Sequence, residues 1–389
     1  MSKKIWSAPL ALIVVVTMAL FFGGITVSAD EVDSGTCGEN ATWSLDSDGT
    51  LTISGSGAMN DFDYSDTAPW YEERQAVKKI IINNGITAIG MSSFSGCSEV
   101  TSVSIPSTVT SVGKYSFYSC SKLTEVTLPS GLTSIKGCAF QWSGLTSVDI
   151  PGSVTEIGEY AFGCCNGLTT VTFGKTSALT TIHNNAFNFC ESLTSIALPD
   201  TITTIESEAF NGCKSLVITA LPANTKYIGY KAFQSCKALT ALDLGQNAET
   251  IEDYAFNECD NLATVTFPSS LNSIGSCAFR KSGLTSLKLS SGIENIDDNA
   301  FYCCKALKSI DITIAADTTL DNYIFAGCEA LETATIKGTL SAIPEGMFYE
   351  CKALTTVSLP DSITELRASA FCSCKELSSF TWPANLTTV

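Results

Sequence analysis

Seventeen cysteines are the residues of this 389-residue chain with the most chemistry to offer. Thiolates ligate metals, attack electrophiles and pair into disulfides, and position decides which of these applies. Eleven of them, Cys97, Cys120, Cys165, Cys190, Cys213, Cys236, Cys259, Cys304, Cys328, Cys351 and Cys374, each follow a phenylalanine by three residues. One phase held over so many copies marks a ladder of buried positions, where a thiol acts as a small hydrophobe with a weak donor. Four others form a second pattern. Cys138 and Cys277 precede their phenylalanines by two residues, in repeats that carry Ser143 and Ser282 at the ladder position. Cys164 and Cys303 follow the next phenylalanines by two, a separation of 26 residues in both cases. Positions two before and two after a phenylalanine share a face if it sits in a helical turn. Cys138–Cys164 and Cys277–Cys303 are therefore candidate inter-repeat disulfides; the alternative is a duplicated six-repeat block that copied a neutral variant. Cys37 and Cys372 carry no assignment.

The chain has one histidine, His183. General acid–base and nucleophilic schemes lean most often on histidine, and no serine or cysteine here has an evident base. A surface histidine is expected, no catalytic residue is assigned, and the chain is not read as an enzyme. Carboxylates recur on the outward face of predicted strands at Asp149, Asp243 and Asp311. At roughly 4.8 Å per repeat, Asp149 and Asp243 are about 20 Å apart, too far for a shared metal or a paired acid–base role. Asp61, Asp63 and Asp66 cluster more closely but lack the glycine and distal glutamate of an EF-hand loop. A solvated loop is expected there, with no metal and no cofactor.

The elements that hold these residues follow from a repeat. Phenylalanine, usually after alanine, recurs from Phe94 through Phe117, Phe140, Phe162 and onward to Phe371 in steps of 22 to 25 residues, mostly 23. Five residues before each one stands an aliphatic residue, from Ile89 and Val112 to Ile343 and Leu366. After each phenylalanine comes an alternating run such as Leu123-Thr124-Glu125-Val126-Thr127-Leu128-Pro129, a strand with one buried face closed by proline. One unit is thus a strand, a turn, a second short extended piece and a single helical turn around Ala-Phe. No unit can bury its apolar face alone, whereas stacking turns each apolar position into a ladder and the strands into one parallel sheet. With 45% hydrophobic residues, the expected fold is a solenoid with a parallel β-sheet face, about 13 repeats spaced at roughly 4.8 Å.

Repeats of this form, seen in Leu123 to Ser143 and Leu354 to Cys374, resemble the BspA-type, or Treponema pallidum-type, leucine-rich repeats of bacterial surface proteins. The resemblance covers about residues 78–389 and implies a right-handed leucine-rich-repeat coil in a secreted or cell-surface protein, some relatives of which bind host matrix proteins or mediate adhesion. It carries over no binding residues, because every motif residue is structural.

Residues 1–29 hold Lys3, Lys4, an apolar run from about Leu10 to Phe22 and Val27-Ser28-Ala29, the pattern of a cleaved export signal, with an uncleaved membrane segment as the rival reading. The formal net charge is −17, and removing the signal leaves 22 minus 2 basic against 39 acidic residues, or −19. Nucleic acid and anionic lipid need clustered Lys and Arg, so neither is an expected partner. Residues 30–77 read as an N-terminal cap, with a hairpin over Thr42–Leu45 and Thr50–Ile53 around Asp48-Gly49, a short helix opened by Pro69, and Trp43 and Trp70 in its core. Residues 78–389 form the array, which stops mid-repeat at Val389; a fragment, or a final edge that is frayed or paired, is expected. The outward sheet positions are mostly Thr, Ser and Ala, low in aromatic residues. Thr127, Asp149, Thr172, Asp243, Thr266 and Asp311 are the candidate positions for an extracellular protein partner, a host matrix protein among the options. A structural spacer within a longer surface protein is the alternative.

Overall fold

The computed structural model describes residues 29–63, 67–290, 292–378 and 380–389. The export segment before Ala29 and Asp66 of the acidic cluster lie outside the described residues.

The repeats wind into a β-solenoid in which each coil has three sides. The first carries the alternating strand, as in Ser147–Ile150 and Thr170–Phe173, which pair in parallel with Val148 opposite Val171 and Ile150 opposite Phe173. The second carries a two-residue strand that holds the aliphatic ladder. Ile182, Ile205, Ile228, Ile251, Ile274, Ile296 and Leu320 stand in one unbroken parallel register. Strands on two sides of the coil, in several separate parallel sheets, thus replace the single sheet that period-two alternation suggested, because the piece before each Ala-Phe pair also finds a partner in the next coil.

The third side is a ridge of turns around each phenylalanine, and here the expected helical turn is corrected: no helix occurs among the described residues. The residues two before and two after each phenylalanine adopt left-handed backbone, for example Cys138 at φ 56° and Trp142 at 61° around Phe140. Alternating the sign of φ turns alternate N–H groups in different directions. Gln141 and Ser143 donate within the coil, to the carbonyls of Cys138 and Phe140, while Cys138, Phe140 and Trp142 donate to Glu159, Ala161 and Gly163 of the next coil. A helix would keep all of these bonds to itself, whereas the alternating ridge satisfies its backbone and stitches the coils together.

The core lies between the three sides. All thirteen repeat phenylalanines stack face to face, with centroid separations from 5.1 Å for Phe256–Phe279 to 5.9 Å for Phe325–Phe348. Threonines bracket the corners: Thr146, Thr169 and Thr194 each donate Oγ1 to the carbonyl of the residue one coil back, Thr124, Thr146 and Thr169. Such a column of backbone acceptors favours threonine independently of which way the strand faces.

The cap begins with β1 (Glu31–Thr36), β2 (Asn40–Asp46) and β3 (Thr50–Ala58), antiparallel in that order. The hairpin read from Asp48-Gly49 is the β2–β3 pair; β1 had no comparable apolar alternation to mark it. β3 then serves both sheets of the first coil. Thr50–Ile53 pair with β4 (Lys79–Ile82), and Gly57 and Ala58 with β5 (Ile86–Ile89). Between these halves Gly55 adopts φ 97°, and a Cβ there would meet the Asn40 carbonyl oxygen at 2.0 Å.

The segment at Pro69 forms successive turns rather than a helix, with Tyr71, Glu73 and Arg74 each donating to the residue three back. Trp70 lies 5.7 Å from Phe94 and extends the ring column, and its Nε1–H donates to the Ser93 carbonyl at 2.8 Å. In later coils the equivalent carbonyl accepts from the preceding phenylalanine N–H, as Ser116 does from Phe94. Trp70 therefore replaces both the ring and the amide of a missing previous coil. At the other end Phe380 packs on Phe371 at 5.4 Å and Trp382 on Phe380 at 4.9 Å, Glu365 bridges Thr388, and Val389 is 85% exposed.

Candidate functional site

The eleven ladder cysteines are buried or half-buried, and ten of them do the same thing. Cys120, Cys165, Cys190 and the others through Cys374 donate Sγ–H to the phenylalanine carbonyl of the previous coil at 3.0–3.3 Å. Burial pushes the thiols of Cys97, Cys165 and Cys259 from an ordinary value of 9.0 up to about 12, so they stay protonated donors. Ser143 and Ser282 stand in the ladder and lie 3.2 and 3.3 Å from Cys165 and Cys304 Sγ. The ladder is structural hydrogen bonding, and burial holds thiols such as Cys97, Cys165 and Cys259 away from reaction.

All seventeen cysteines are free thiols in the structure. The helical face that would have joined Cys138 to Cys164, and Cys277 to Cys303, is absent. The ridge register sets Cys138 beside Tyr160 and Cys164 beside Trp142, in different columns, and the Cys303 sulfur turns toward Gly327 of the following coil. His183 is half-exposed, with Nδ1 3.1 Å from Glu206 Oε2. In the acidic cluster, Asp61 accepts the Met91 amide at 2.6 Å, which fastens the cap loop to the first ridge. Among the described residues no group of three or more His, Cys, Asp and Glu side chains is placed to hold a metal ion.

The sheet-face candidates fall on the outward side of the first sheet. Asp149 and Thr172 are register neighbours joined by a hydrogen bond. Asp243 stands opposite Thr266 and accepts the Gly245 amide at 2.9 Å. Asp311 stands opposite Lys288 and Thr335 and is paired with Lys337 Nζ at 2.7 Å. Thr127 is exposed in a coil whose first-side segment is not an assigned strand. The structure thus brings four of the six together as two adjacent pairs, about 20 Å apart at four rungs of roughly 4.8 Å. Asp149 and Asp243 form no ion pair among the described residues, and the outward positions of the paired strands from Ser147 to Thr266 carry no lysine or arginine.

The aromatic residues lie elsewhere, on the ridge. Tyr115, Tyr118, Tyr160, Tyr254, Tyr302, Tyr323 and Tyr349 all fall within two residues of a repeat phenylalanine, and Trp142 and Phe189 are 47% and 44% exposed in the column two residues after it. Phase within the repeat was the available signal, obscured by reading the ridge as a helical turn whose only outward residues of interest were cysteines. Two hollows line this ridge. One of about 450 Å³ lies where the cap meets the first coils, between Tyr71, Met91, Tyr115, Tyr118 and Gln141. The other, about 480 Å³, is an open groove between Trp142, Tyr160, Cys164, Phe189 and Glu208.

Coils with short parallel strands on two sides, an aliphatic ladder, a stacked phenylalanine column and a cysteine ladder define a leucine-rich-repeat solenoid. The family model of the BspA type leucine rich repeat region matches in six copies over residues 70–190, 180–308 and 294–389, and the chain belongs to that family. A leucine-rich repeat protein from Bacteroides ovatus shares this fold at 24% identity, over 94% of this chain and 88% of that one, with a TM-score of 0.51. One from Eubacterium ventriosum is similar at 22% identity over 91% and 92% of the two chains, TM-score 0.47. A leucine rich cell surface protein from Faecalibacterium prausnitzii is similar at 24% identity over 92% and 94%, TM-score 0.41. No curated protein matches the sequence.

Proposed function

We propose that the chain is a secreted or cell-surface binding module that docks an extracellular protein along its first sheet. The observation that carries this reading is the stretch from Ser147 to Thr266, where Asp149 and Asp243 stand exposed on a flat Thr- and Ser-rich face without a cation to neutralise them. Some carboxylates on this solenoid are paired from coil to coil, as Glu99 with Lys122, Glu191 with Lys214 and Asp260 with Lys237, and Asp311 on the same face is paired with Lys337. Carboxylates left open on a molecule of net charge −17 suit a partner with a basic surface, met by many modest contacts and steered by charge. The export-like segment at residues 1–29 and membership of the BspA-type family support the extracellular setting.

The test is capture of immobilised matrix proteins by the purified protein at two salt concentrations. Saturable binding that weakens as salt rises, and that drops several-fold in the Asp149→Asn/Asp243→Asn double variant, is expected. A blank across the panel would leave the spacer reading.

A further inference from the structure

On the ridge, the column two residues after each phenylalanine reads Ser119, Trp142, Cys164, Phe189, Gly212 over five successive coils. Every residue in it has left-handed backbone, Trp142 at φ 61° and Phe189 at φ 53°, a conformation that bulky side chains adopt rarely and at a cost. In the remaining coils the same column holds Gly, Ser, Glu, Lys or Cys. The two aromatic side chains are nevertheless placed there and left about half exposed, so folding does not account for them.

Their surroundings make a platform. Phe189 reaches over the next coil, so close that a Cβ on Gly212 would sit 2.5 Å from its ring. Small residues alternate with aromatic ones, and the two aromatic positions are two rungs apart, roughly 10 Å. Tyr160 and the half-buried Cys164 lie between them in the groove of about 480 Å³, and Asn166, Asn188 and Glu208 supply its polar groups. The Asn188 and Asn211 side-chain amides both donate to Glu208 Oε2, at 3.2 and 3.0 Å, which fixes that carboxylate at the rim.

We infer that this groove is a binding site for a neutral oligosaccharide, with two sugar rings of an extended chain stacked on Trp142 and Phe189. The C–H faces of a pyranose ring match exposed aromatic faces, and its hydroxyls need donors and acceptors, which the exposed Asn166 carboxamide and the Glu208 carboxylate, fixed by Asn188 and Asn211, provide. Glu208 at the rim opposes sulfated or uronate sugars. A groove of this size is too small by itself for the roughly 800 Å² per partner of a stable protein interface. The site is separate from the sheet face, so its failure and that of the protein-docking reading are distinguishable.

The experiment is a titration of the purified protein, followed by calorimetry and by tryptophan fluorescence, with cellohexaose, maltohexaose, chitohexaose and mannohexaose, and with a heparin oligomer as the anionic control. Saturable binding of at least one neutral oligomer is expected, lost at least tenfold in Trp142→Ala and in Phe189→Ala, and unchanged in Trp382→Ala and in Asp149→Asn/Asp243→Asn. These ridge side chains are exposed, and thermal unfolding of each variant checks that its fold is kept. No binding of any neutral oligomer overturns the inference. So does binding that both ridge variants retain, preference for heparin, or capture of a matrix protein that the two ridge substitutions abolish.

Discussion

At the scale of the residue, the cysteine ladder makes two predictions. Cys236 donates Sγ–H to the Phe210 carbonyl at 3.2 Å from full burial. Cys236→Ala removes the donor and leaves a small void, and should destabilise by about 1–3 kcal/mol. Cys236→Ser keeps a donor and should cost less, since Ser143 and Ser282 already occupy the ladder; thermal unfolding of the two variants ranks them, and the reverse order would sink this account of the position. The second concerns pH. Burial raises the thiols of Cys97, Cys165 and Cys259 to about 12 and those of Cys120, Cys190 and Cys236 well above 9.0. The folded chain therefore holds protons that the unfolded chain releases. This stability is fully present below pH 9 and is lost as pH rises from 9 toward 12, by up to about 1.4 kcal/mol per thiol per pH unit. Melting temperature should fall steeply between pH 9 and pH 11, with a shallower slope in Cys236→Ser; a flat profile would mean that the thiols are accessible.

At the scale of the element, the ridge differs most from a reading of local sequence, and its backbone can be tested directly. Ser235 has φ 58° and donates its amide to Asn257 of the next coil at 2.9 Å. Ser235→Val forces a β-branched side chain into left-handed backbone and should destabilise by about 1–2 kcal/mol, whereas Ser235→Gly relieves strain at a similar entropic cost and should stay within about 1 kcal/mol of the parent. Denaturant unfolding of both checks this, and equal effects would argue that the ridge tolerates ordinary backbone there. The strands of most coils were legible in the sequence because runs such as Ser147-Val148-Asp149-Ile150 alternate with period two and Ile135 recurs one coil on as Ile157, although the equally alternating run Leu123-Thr124-Glu125-Val126 forms no strand. The ridge was not, because Cys138, Trp142 and Ser235 are residue types with no left-handed preference. Only contact with the adjacent coil selects that conformation, and a single repeat does not display it. The candidate sheet positions were legible for the same reason the strands were. Trp142 and Phe189 stand on the ridge, so their exposure could not be read before its geometry was known.

At the scale of the molecule, each coil touches only its neighbours, so stability is close to a sum of coil and interface terms and damage spreads along one axis. Trp70 is the point where the array meets its cap: it closes the ring column against Phe94, donates to Ser93, and packs edge-on to Trp43 at 5.4 Å and Phe62 at 6.0 Å. Truncating so large a buried aromatic costs about 3–5 kcal/mol. In a compact domain with one shared core that loss would lower protection everywhere. Here it should uncouple the cap from the first coil, so hydrogen exchange in Trp70→Ala should accelerate from Lys79 to about Cys120, where the coils lose their covered end. Amides around Phe233 and Phe256, held on both sides by stacked rings 5.2 and 5.3 Å away, should keep protection close to the parent. Uniform loss of protection along the chain would show that the coils fold as one cooperative unit, and the sheet face and ridge groove could then not be treated as surfaces whose stability is set locally.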